Sequence, residues 1–205
     1  MARHLKKRTA FLYSPPACTG CKSSPLKEAH RVSLFATEKS NAFLSSLLQR
    51  RLIMNKIESF QIDHLKLLPG LYVSRKDRQG EVCVTTFDMR VTAPNREPVI
   101  DMPALHTIEH LGATFFRNGR IKESVVYFGP MGCRTGFYLV LFGDLASEDV
   151  YSEVLAMCDF ILSFEGDIPG ASAVECGNYA EQNLAMAKYY IARYKGELAA
   201  KRFAY

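Results

Sequence analysis

The sequence predicts an α+β fold in which helices pack against a largely antiparallel β-sheet. Two observations carry this prediction. Three short segments of the chain are rich in alternating or β-branched apolar residues, and three longer segments have the character of helices. These segments succeed one another irregularly, whereas a doubly wound parallel sheet requires a regular alternation of strand and helix. With 205 residues, of which 48% are hydrophobic, the chain can build one sizeable core, so one domain is expected.

The first half of the predicted domain contains a strand, a loop and a helix. Residues 59–64 look extended, and Glu81–Val91 should form a strand, because VCVTTFDMRV alternates and is rich in β-branched residues. Ala93–Pro103 holds three prolines and Asn95, which predicts a loop. Pro103 then lies near the start of a helix that runs through HTIEHLGATFF.

The second half should contain two strands followed by two helices. Glu123–Phe128 and Gly136–Phe142 are predicted strands, separated by the turn-rich GPMGCRTG. A helix is expected over Ser147–Phe164, with Ser147 as its N-cap, and a last helix over Tyr179–Leu198.

The first 53 residues differ in composition from the rest of the chain. They hold ten Lys or Arg against two Glu, which leaves 16 basic and 19 acidic residues from Met54 onward. We interpret residues 1–53 as a disordered extension, or as the product of a start codon upstream of a true start at Met54. Residues 54–205 are then the functional domain.

Composition also bears on partners and compartment. The domain after Met54 is slightly acidic, so no nucleic-acid partner is expected. The sequence contains no apolar run of the length that a membrane span requires, so no membrane partner is expected either. The six cysteines do not follow the pattern of a secreted disulfide scaffold, which favours a reducing, cytoplasmic location.

The sequence H-T-I-E-H places two histidines and a glutamate on one face of the predicted helix. His106 and His110 are four residues apart, so their imidazoles project about one turn apart and can bind one metal ion. Glu109 projects toward the same face, where it can exchange protons with an oxygen bound at the metal. This is the HxxEH spacing, the inverse of the HExxH motif of metalloproteases.

Two cysteines are candidates for chemistry beside this helix. Cys176, next to Gly177 in a loop between two helices, is the best candidate for a third metal ligand, although a small buried thiol would explain the same pattern. Cys133 lies in the turn P-M-G-C-R-T-G, where Arg134 supplies a positive charge that favours a thiolate. The alternative is an inert cysteine at the end of a strand. Cys83 and Cys158 lie in apolar segments and should pack in the core.

Six motifs together resemble the S-ribosylhomocysteine lyases, the LuxS family. In order they are S-F-x-x-D-H at 59–64, F-D-M-R at 87–90, P-N-R-E-P, H-T-I-E-H, G-P-M-G-C-R-T-G and E-C-G-N, and they cover the chain from Met54 onward. The resemblance implies a fold related to the HxxEH metallohydrolases and a homodimer with active sites at its interface. It also implies one divalent metal per chain, natively Fe²⁺ and often replaced by Zn²⁺ or Co²⁺.

The family reaction converts S-ribosylhomocysteine to homocysteine and 4,5-dihydroxy-2,3-pentanedione, the autoinducer-2 precursor, by migration of a carbonyl group and β-elimination. The resemblance makes Cys133 the general base and acid for the migrating protons and gives Glu109 the proton transfers at oxygen. His106, His110 and Cys176 correspond to the metal ligands. Positions that line the family's substrate site correspond to Ser59, His64 and Arg90.

Two alternative functions remain open at this point. An HxxEH metallopeptidase shares the helix motif, but it would usually take a carboxylate as third ligand and need a longer chain. A metal-bound domain without catalytic activity would need no cysteine in a turn beside the metal, and four protein ligands would close its site.

Overall fold

Four strands form one antiparallel sheet in residues 60–205, the part of the chain that this computed structural model describes. The predictions for residues 1–53 and for Ser59 lie outside it. The strands are β1 (Gly70–Gln79), β2 (Val82–Arg90), β3 (Val125–Pro130) and β4 (Gly136–Phe142), and their order in the sheet is β1-β2-β4-β3. The helices are α1 (Met102–Asn118), α2 (Ser147–Ser163) and α3 (Leu184–Leu198), with a short 3₁₀ helix at Lys122–Ser124.

The helices and one face of the sheet enclose the hydrophobic core. Because side chains alternate along a strand, every second residue of β2 and β4 points into this core. Phe87, Met89, Leu139 and Leu141 are almost fully buried there and pack with the apolar side chains of the three helices. All three neighbouring strand pairs are antiparallel. The predicted α+β class with a largely antiparallel sheet is therefore confirmed.

The face of the sheet opposite this core carries apolar side chains. Val84 pairs with Phe142, and Val140 pairs with both Thr86 and Tyr127, so these residues share one face. Phe142 and Tyr127 are about half exposed, at 51% and 47%. We refer to Val84, Tyr127, Tyr138, Val140 and Phe142 as the open sheet face.

At the start of the domain, one predicted segment is wrong and one strand was not predicted. Residues 60–64, expected to be extended, form turns, and Asp63 accepts hydrogen bonds from the backbone N–H groups of Leu65, Lys66 and Leu67. No strand was predicted for residues 70–79, although β1 occupies them. Only the first half of β1 is apolar. Its second half is exposed and polar and is held by main-chain pairing with β2, so hydrophobic alternation could not reveal it.

The helix starts also differ from the predictions. α2 begins at Ser147 as expected, but Ser147 is not its N-cap. Ala146 occupies that position, its N–H donates to the Asp149 carboxylate at 2.8 Å, and the Ser147 hydroxyl is buried. α3 begins at Leu184 instead of Tyr179, because Asn183 caps it by accepting the N–H of Met186 at 3.0 Å. Among the helices of residues 60–205, none is both long and apolar enough to cross a membrane.

Candidate active site

Helix α1 carries the two histidines that begin the site. Asp101 caps the helix by accepting the N–H of Ala104 at 3.1 Å, and Pro103 occupies its first turn, where a missing N–H costs nothing. The four-residue spacing then places His106 and His110 one turn apart on the same face. Their Nε2 atoms are 3.0 Å from each other. The pairing predicted from H-T-I-E-H is therefore present.

Main-chain carbonyls orient both imidazole rings. The Nδ1 atom of His106 lies 2.9 Å from the carbonyl oxygen of Glu181, and Nδ1 of His110 lies 2.7 Å from that of Pro169. With each Nδ1–H donating to a carbonyl, each Nε2 keeps a free lone pair. The loop comes close to His110 because Gly170 has a φ of +74° and no Cβ, which would stand 3.3 Å from Nδ1.

The loop between α2 and α3 brings Cys176 to the histidines. Its Sγ lies 3.4 Å from Nε2 of His106, and the N–H of Asn178 points at the same sulfur at 3.5 Å. The loop is fixed to α1 through Thr107, whose hydroxyl accepts the N–H of Asn183 and donates to the side-chain oxygen of Gln182, both at 2.8 Å. Cys176 therefore comes from the element that the sequence predicted.

These three side chains suit a divalent metal ion. The ligand atoms of His106, His110 and Cys176 all lie within 4.8 Å of one another. Donors held at about 2.0–2.3 Å from one tetrahedral ion lie roughly 3.3–3.6 Å apart. The Nε2 atom of His106 lies at comparable distances from the other two ligand atoms, 3.0 Å from His110 Nε2 and 3.4 Å from Cys176 Sγ. Two imidazole lone pairs directed at each other across 3.0 Å repel unless a cation lies between them. Imidazole and thiolate ligands suit several transition metals, among them zinc, copper and iron.

Glu109 lies beside the three candidate ligands. It lines the same pocket as they do, an open cavity of about 530 Å³. The side chain is half-buried and forms no hydrogen bond or ion pair with any residue of the described range. A carboxylate in this position can accept or release a proton at a group bound in the pocket. The three-ligand cluster faces this cavity, so a ligand from solvent can reach it.

Cys133 lies in the turn between β3 and β4. The turn closes through Arg134, which adopts a left-handed φ of 58° and donates its N–H to the carbonyl of Met131. The Cys133 Sγ lies 3.1 Å from the Thr135 hydroxyl and 3.8 Å from the Arg90 guanidinium. Burial would raise the pKa of Cys133, but hydrogen bonds with Thr135 and the charge of Arg90 outweigh it and lower this pKa below its usual value.

The positive charge at this thiol therefore comes from Arg90, although Arg134 was predicted to supply it. Arg90 ends β2 and is 3% exposed, with its guanidinium held by Asp88 and by Thr135. Sequence proximity favoured Arg134, but antiparallel pairing of β2 with β4 brings Arg90 opposite Gly136, next to the turn. Asp88 and Thr135 were not predicted as site residues. Asp88 does stand in the F-D-M-R motif.

His64 and Arg90, both predicted to bind substrate, line one pocket with Cys133. This cavity has a volume of about 250 Å³ and is bordered by Asp88 and Tyr138. We call it the thiol pocket, and we call the cavity beside His106, Glu109, His110 and Cys176 the metal pocket. The two pockets share no lining residue. The structure thus brings the predicted residues together in two groups and not in one.

Residues 57–202 match a family model described as S-ribosylhomocysteinase (LuxS). A protein of Finegoldia magna named S-ribosylhomocysteine lyase is 60% identical over 141 residues, which are 69% of this chain and 90% of that protein. A protein of the same name from Clostridium acetobutylicum is 58% identical over 67% of this chain and 87% of its own length. The Borreliella burgdorferi protein of that name is 57% identical over 69% of this chain and 90% of its own length. The chain therefore belongs to the S-ribosylhomocysteinase (LuxS) family.

Proposed function

We propose that this protein is an S-ribosylhomocysteine lyase that cleaves the thioether of its substrate to homocysteine and 4,5-dihydroxy-2,3-pentanedione, the autoinducer-2 precursor. The observation that carries the proposal is the family match over residues 57–202, with relatives more than half identical that bear this enzyme's name. The match also favours the lyase over an HxxEH metallopeptidase. A thiolate from Cys176 as the third candidate ligand agrees with this choice.

His106, His110 and Cys176 would hold one divalent metal ion, for which Fe²⁺ is our first choice and Zn²⁺ or Co²⁺ are substitutes. When bound, such an ion supplies Lewis acidity, which makes protons next to a carbonyl or hydroxyl oxygen easier to remove. Three protein ligands and a cavity of about 530 Å³ in front of them support a catalytic site. A structural site would be closed by a fourth side chain. We also propose that the fold is related to that of the HxxEH metallohydrolases, which the HxxEH spacing of His106, Glu109 and His110 on α1 supports.

Cys133 is our candidate for moving protons between carbon atoms. As a thiolate it would take the proton from the carbon next to the carbonyl group and return it to the former carbonyl carbon. The carbonyl group thereby moves one position along the sugar. Two such transfers bring the carbonyl next to the carbon that precedes the C–S bond. Removal of one more C–H proton then forms a C=C bond while the C–S bond breaks and homocysteine leaves as its thiolate.

Glu109 is our candidate for the proton transfers at oxygen and for assistance in the elimination. Its carboxylate has no partner among residues 60–205, so it is free to take a hydroxyl proton from one sugar oxygen and give it to the neighbouring one. For substrate binding we propose Ser59, His64 and Arg90. The guanidinium of Arg90 can hold an anionic or carbonyl oxygen of the substrate.

We propose further that the active enzyme is a homodimer with active sites at its interface. Two observations support this. The open sheet face carries half-exposed apolar side chains such as Tyr127 and Phe142, whose burial against a second copy would be favourable. In addition, the thiol pocket and the metal pocket share no lining residue. A dimer can combine the metal pocket of one protomer with the thiol pocket of its partner.

We propose a cytoplasmic location. All four cysteines among residues 60–205 are free, and the roles given to Cys133 and Cys176 require reduced thiols.

Release of a free thiol from S-ribosylhomocysteine tests the proposed function. The purified, metal-loaded protein should produce homocysteine, detected with a thiol reagent, in proportion to enzyme and time. A peptide substrate panel serves as the comparison, because a metallopeptidase would cleave peptides and release no thiol from S-ribosylhomocysteine. Protein that holds about one metal per chain and releases no thiol would show that the proposal is wrong.

A further inference from the structure

A buried ion pair lines the thiol pocket. Asp88 and Arg90 are 1% and 3% exposed, and the Arg90 guanidinium bonds to the Asp88 carboxylate. The same guanidinium donates to the Thr135 hydroxyl at 2.5 Å and points at the Cys133 sulfur at 3.8 Å. Within the described chain, Asp88 Oδ1 has no hydrogen-bond partner. The carboxylate is thus buried with few donors, and each donor it has is important.

Tyr205 supplies one of these donors. Its hydroxyl donates to Asp88 Oδ2 at 3.1 Å. Its ring stacks on the ring of Tyr72, with centroids 4.7 Å apart and an interplanar angle of 15°. Tyr72 is the cross-strand partner of Asp88 in the β1–β2 pair, so a ring stacked on Tyr72 brings its hydroxyl over that carboxylate.

The backbone before Tyr205 is fixed to the start of β1. The carbonyl of Arg202 accepts the N–H of Leu71 at 3.1 Å. The Arg202 guanidinium donates to the carbonyl of Pro69 at 3.0 Å and to the carboxylate of Glu197 at 2.8 Å. The C-terminal segment is therefore fixed at the start of β1 through specific bonds of Arg202, and Tyr205 reaches Asp88 from a segment far from every motif of the sequence.

We propose that Tyr205 is a positioning residue of this enzyme, which holds Arg90 against Thr135 and the Cys133 thiolate through its hydrogen bond to Asp88. The proposal rests on the proposed function in so far as Cys133 acts as the base. The geometry that carries it is a continuous chain of contacts from the Tyr205 hydroxyl through Asp88 and Arg90 to the reactive sulfur.

Loss of the Tyr205 hydroxyl should raise the pKa of the Cys133 thiol. Asp88 Oδ2 would then rely on Arg90 alone, which draws the guanidinium toward the carboxylate and away from the sulfur. The negative charge of Asp88 would also be less compensated close to the thiol. Both changes favour the protonated thiol. His64 and Tyr138, which line the same pocket, and Arg134 in the turn are unchanged by the substitution.

The test is the pH dependence of Cys133 alkylation in the full-length, metal-loaded protein. Iodoacetamide is the probe, and mass spectrometry of the peptide that contains Cys133 separates this thiol from the other cysteines. We expect Tyr205→Phe, which keeps the ring stacked on Tyr72, to move the alkylation midpoint to higher pH. Below the midpoint, a shift of about half a pKa unit slows alkylation roughly threefold. Metal content should not change.

The controls separate positioning from a merely structural role. Tyr189→Phe removes the hydroxyl of an exposed tyrosine on α3 and should leave the midpoint unchanged. In an Asp88→Asn background, Tyr205→Phe should produce no further shift, because the bond that transmits its effect has been altered. If Asp88→Asn does not fold, the single Tyr205→Phe variant still decides the question.

An unchanged midpoint in Tyr205→Phe would overturn the proposal, even if the variant were less stable to heat. Alkylation needs no substrate, so its outcome is independent of whether the wild-type protein releases homocysteine. A failure of the proposed function and a failure of this inference are therefore seen in different assays.

Discussion

At the scale of single residues, the environment of each thiol decides what it can do. Cys158 is fully buried in the core, and burial raises its pKa to about 12, so it remains a neutral packing group. Cys133 is exposed at a turn, where Thr135 and Arg90 stabilise its thiolate. The sequence predicted the burial of Cys158, because that cysteine lies in an apolar segment, and it predicted Cys133 in a turn, because that cysteine lies between glycines. It could not identify Arg90 as the stabilising cation, since that contact depends on strand pairing.

Replacement of Cys133 by serine tests the catalytic role at this scale. A hydroxyl has nearly the size of the thiol but a pKa too high for a base near neutral pH. We expect thiol release from S-ribosylhomocysteine to fall by about 10² to 10⁴-fold, while metal content and thermal stability stay nearly unchanged. Exchange of substrate C–H protons with deuterated water should also stop. Cys83→Ser is the matched control, because Cys83 is buried in β2 and should affect stability more than rate. If Cys133→Ser kept near-normal turnover, another group would have to be the base.

Replacement of His106 tests the metal cluster. The wild-type protein should hold about one divalent ion per chain, and His106→Ala should hold only a trace after dialysis, because two ligands bind far more weakly than three. Metal analysis of the purified proteins gives the result directly. His64→Ala is the control, since His64 lies in the thiol pocket and should not reduce metal content. Full metal content in His106→Ala would contradict the assignment of the ligands.

At the scale of elements, local sequence signals predicted those parts of the fold that have a strong apolar or capping pattern. The strand Gly136–Phe142 was predicted with its exact bounds, and α1 was predicted from its proline and its apolar period. β1 was missed because tertiary pairing, and not hydrophobic alternation, holds its polar half. The last helix was predicted five residues too early, because residues 179–183 form the loop whose Glu181 carbonyl orients His106. The wrongly predicted residues are thus those whose loop conformation positions a candidate metal ligand.

The packing of α1 on β3 depends on a glycine close to the metal ligands. A Cβ at Gly112 would overlap the ring of Phe128, which is buried between α1 and β4. We expect Gly112→Ala to lower the free energy of unfolding by about 1–3 kcal/mol, measured by urea denaturation. Gly196→Ala is the matched control in α3, where nothing lies within 4 Å of the added Cβ. That change should stabilise the protein by about 0.5–1 kcal/mol. Equal effects of the two substitutions would refute this account of helix packing.

At the scale of the whole molecule, activity depends on two properties. One is the length of chain that the enzyme requires, and the other is the number of protomers that form each active site. The family match begins at residue 57, and the relatives compared here align with about 140 residues of this chain. Residues 1–53 lie before that match and hold ten basic and two acidic residues, whereas the rest of the chain has 16 basic and 19 acidic residues and is slightly acidic. Neither the dimer nor the role of this segment could be derived from sequence patterns alone. The dimer was expected only from the family resemblance, and its physical support is the open sheet face.

A chain that begins at Met54 should fold and turn over normally. Residues 1–53 combine high charge with little apolar periodicity, so they have little surface to offset the entropy of ordering. The measurements are the thermal midpoint and the rate of thiol release, compared with those of the full-length chain. A large loss of either on truncation would mean that this segment contributes to the domain.

Complementation between inactive variants tests whether two protomers share each active site. Cys133→Ala alters only the thiol pocket, and His106→Ala alters only the metal pocket. If each site combines the metal pocket of one protomer with the thiol pocket of its partner, a mixed dimer has one intact site and one site with both defects. Random mixing of equal amounts yields half mixed dimers, so activity should recover to about a quarter of the wild-type value.

The control for complementation is a mixture of His106→Ala with Cys176→Ala. Both substitutions fall in the metal pocket, so every site of every dimer has a defect and no activity should return. The subunits must be exchanged by denaturation and refolding or by co-expression, with mass spectrometry of the intact dimers to show that mixed dimers are present. If mixed dimers of Cys133→Ala and His106→Ala are present and inactive, each site is built within one chain. The two pockets would then have to approach each other by a movement inside the protomer, and the open sheet face would have no catalytic reason to be covered.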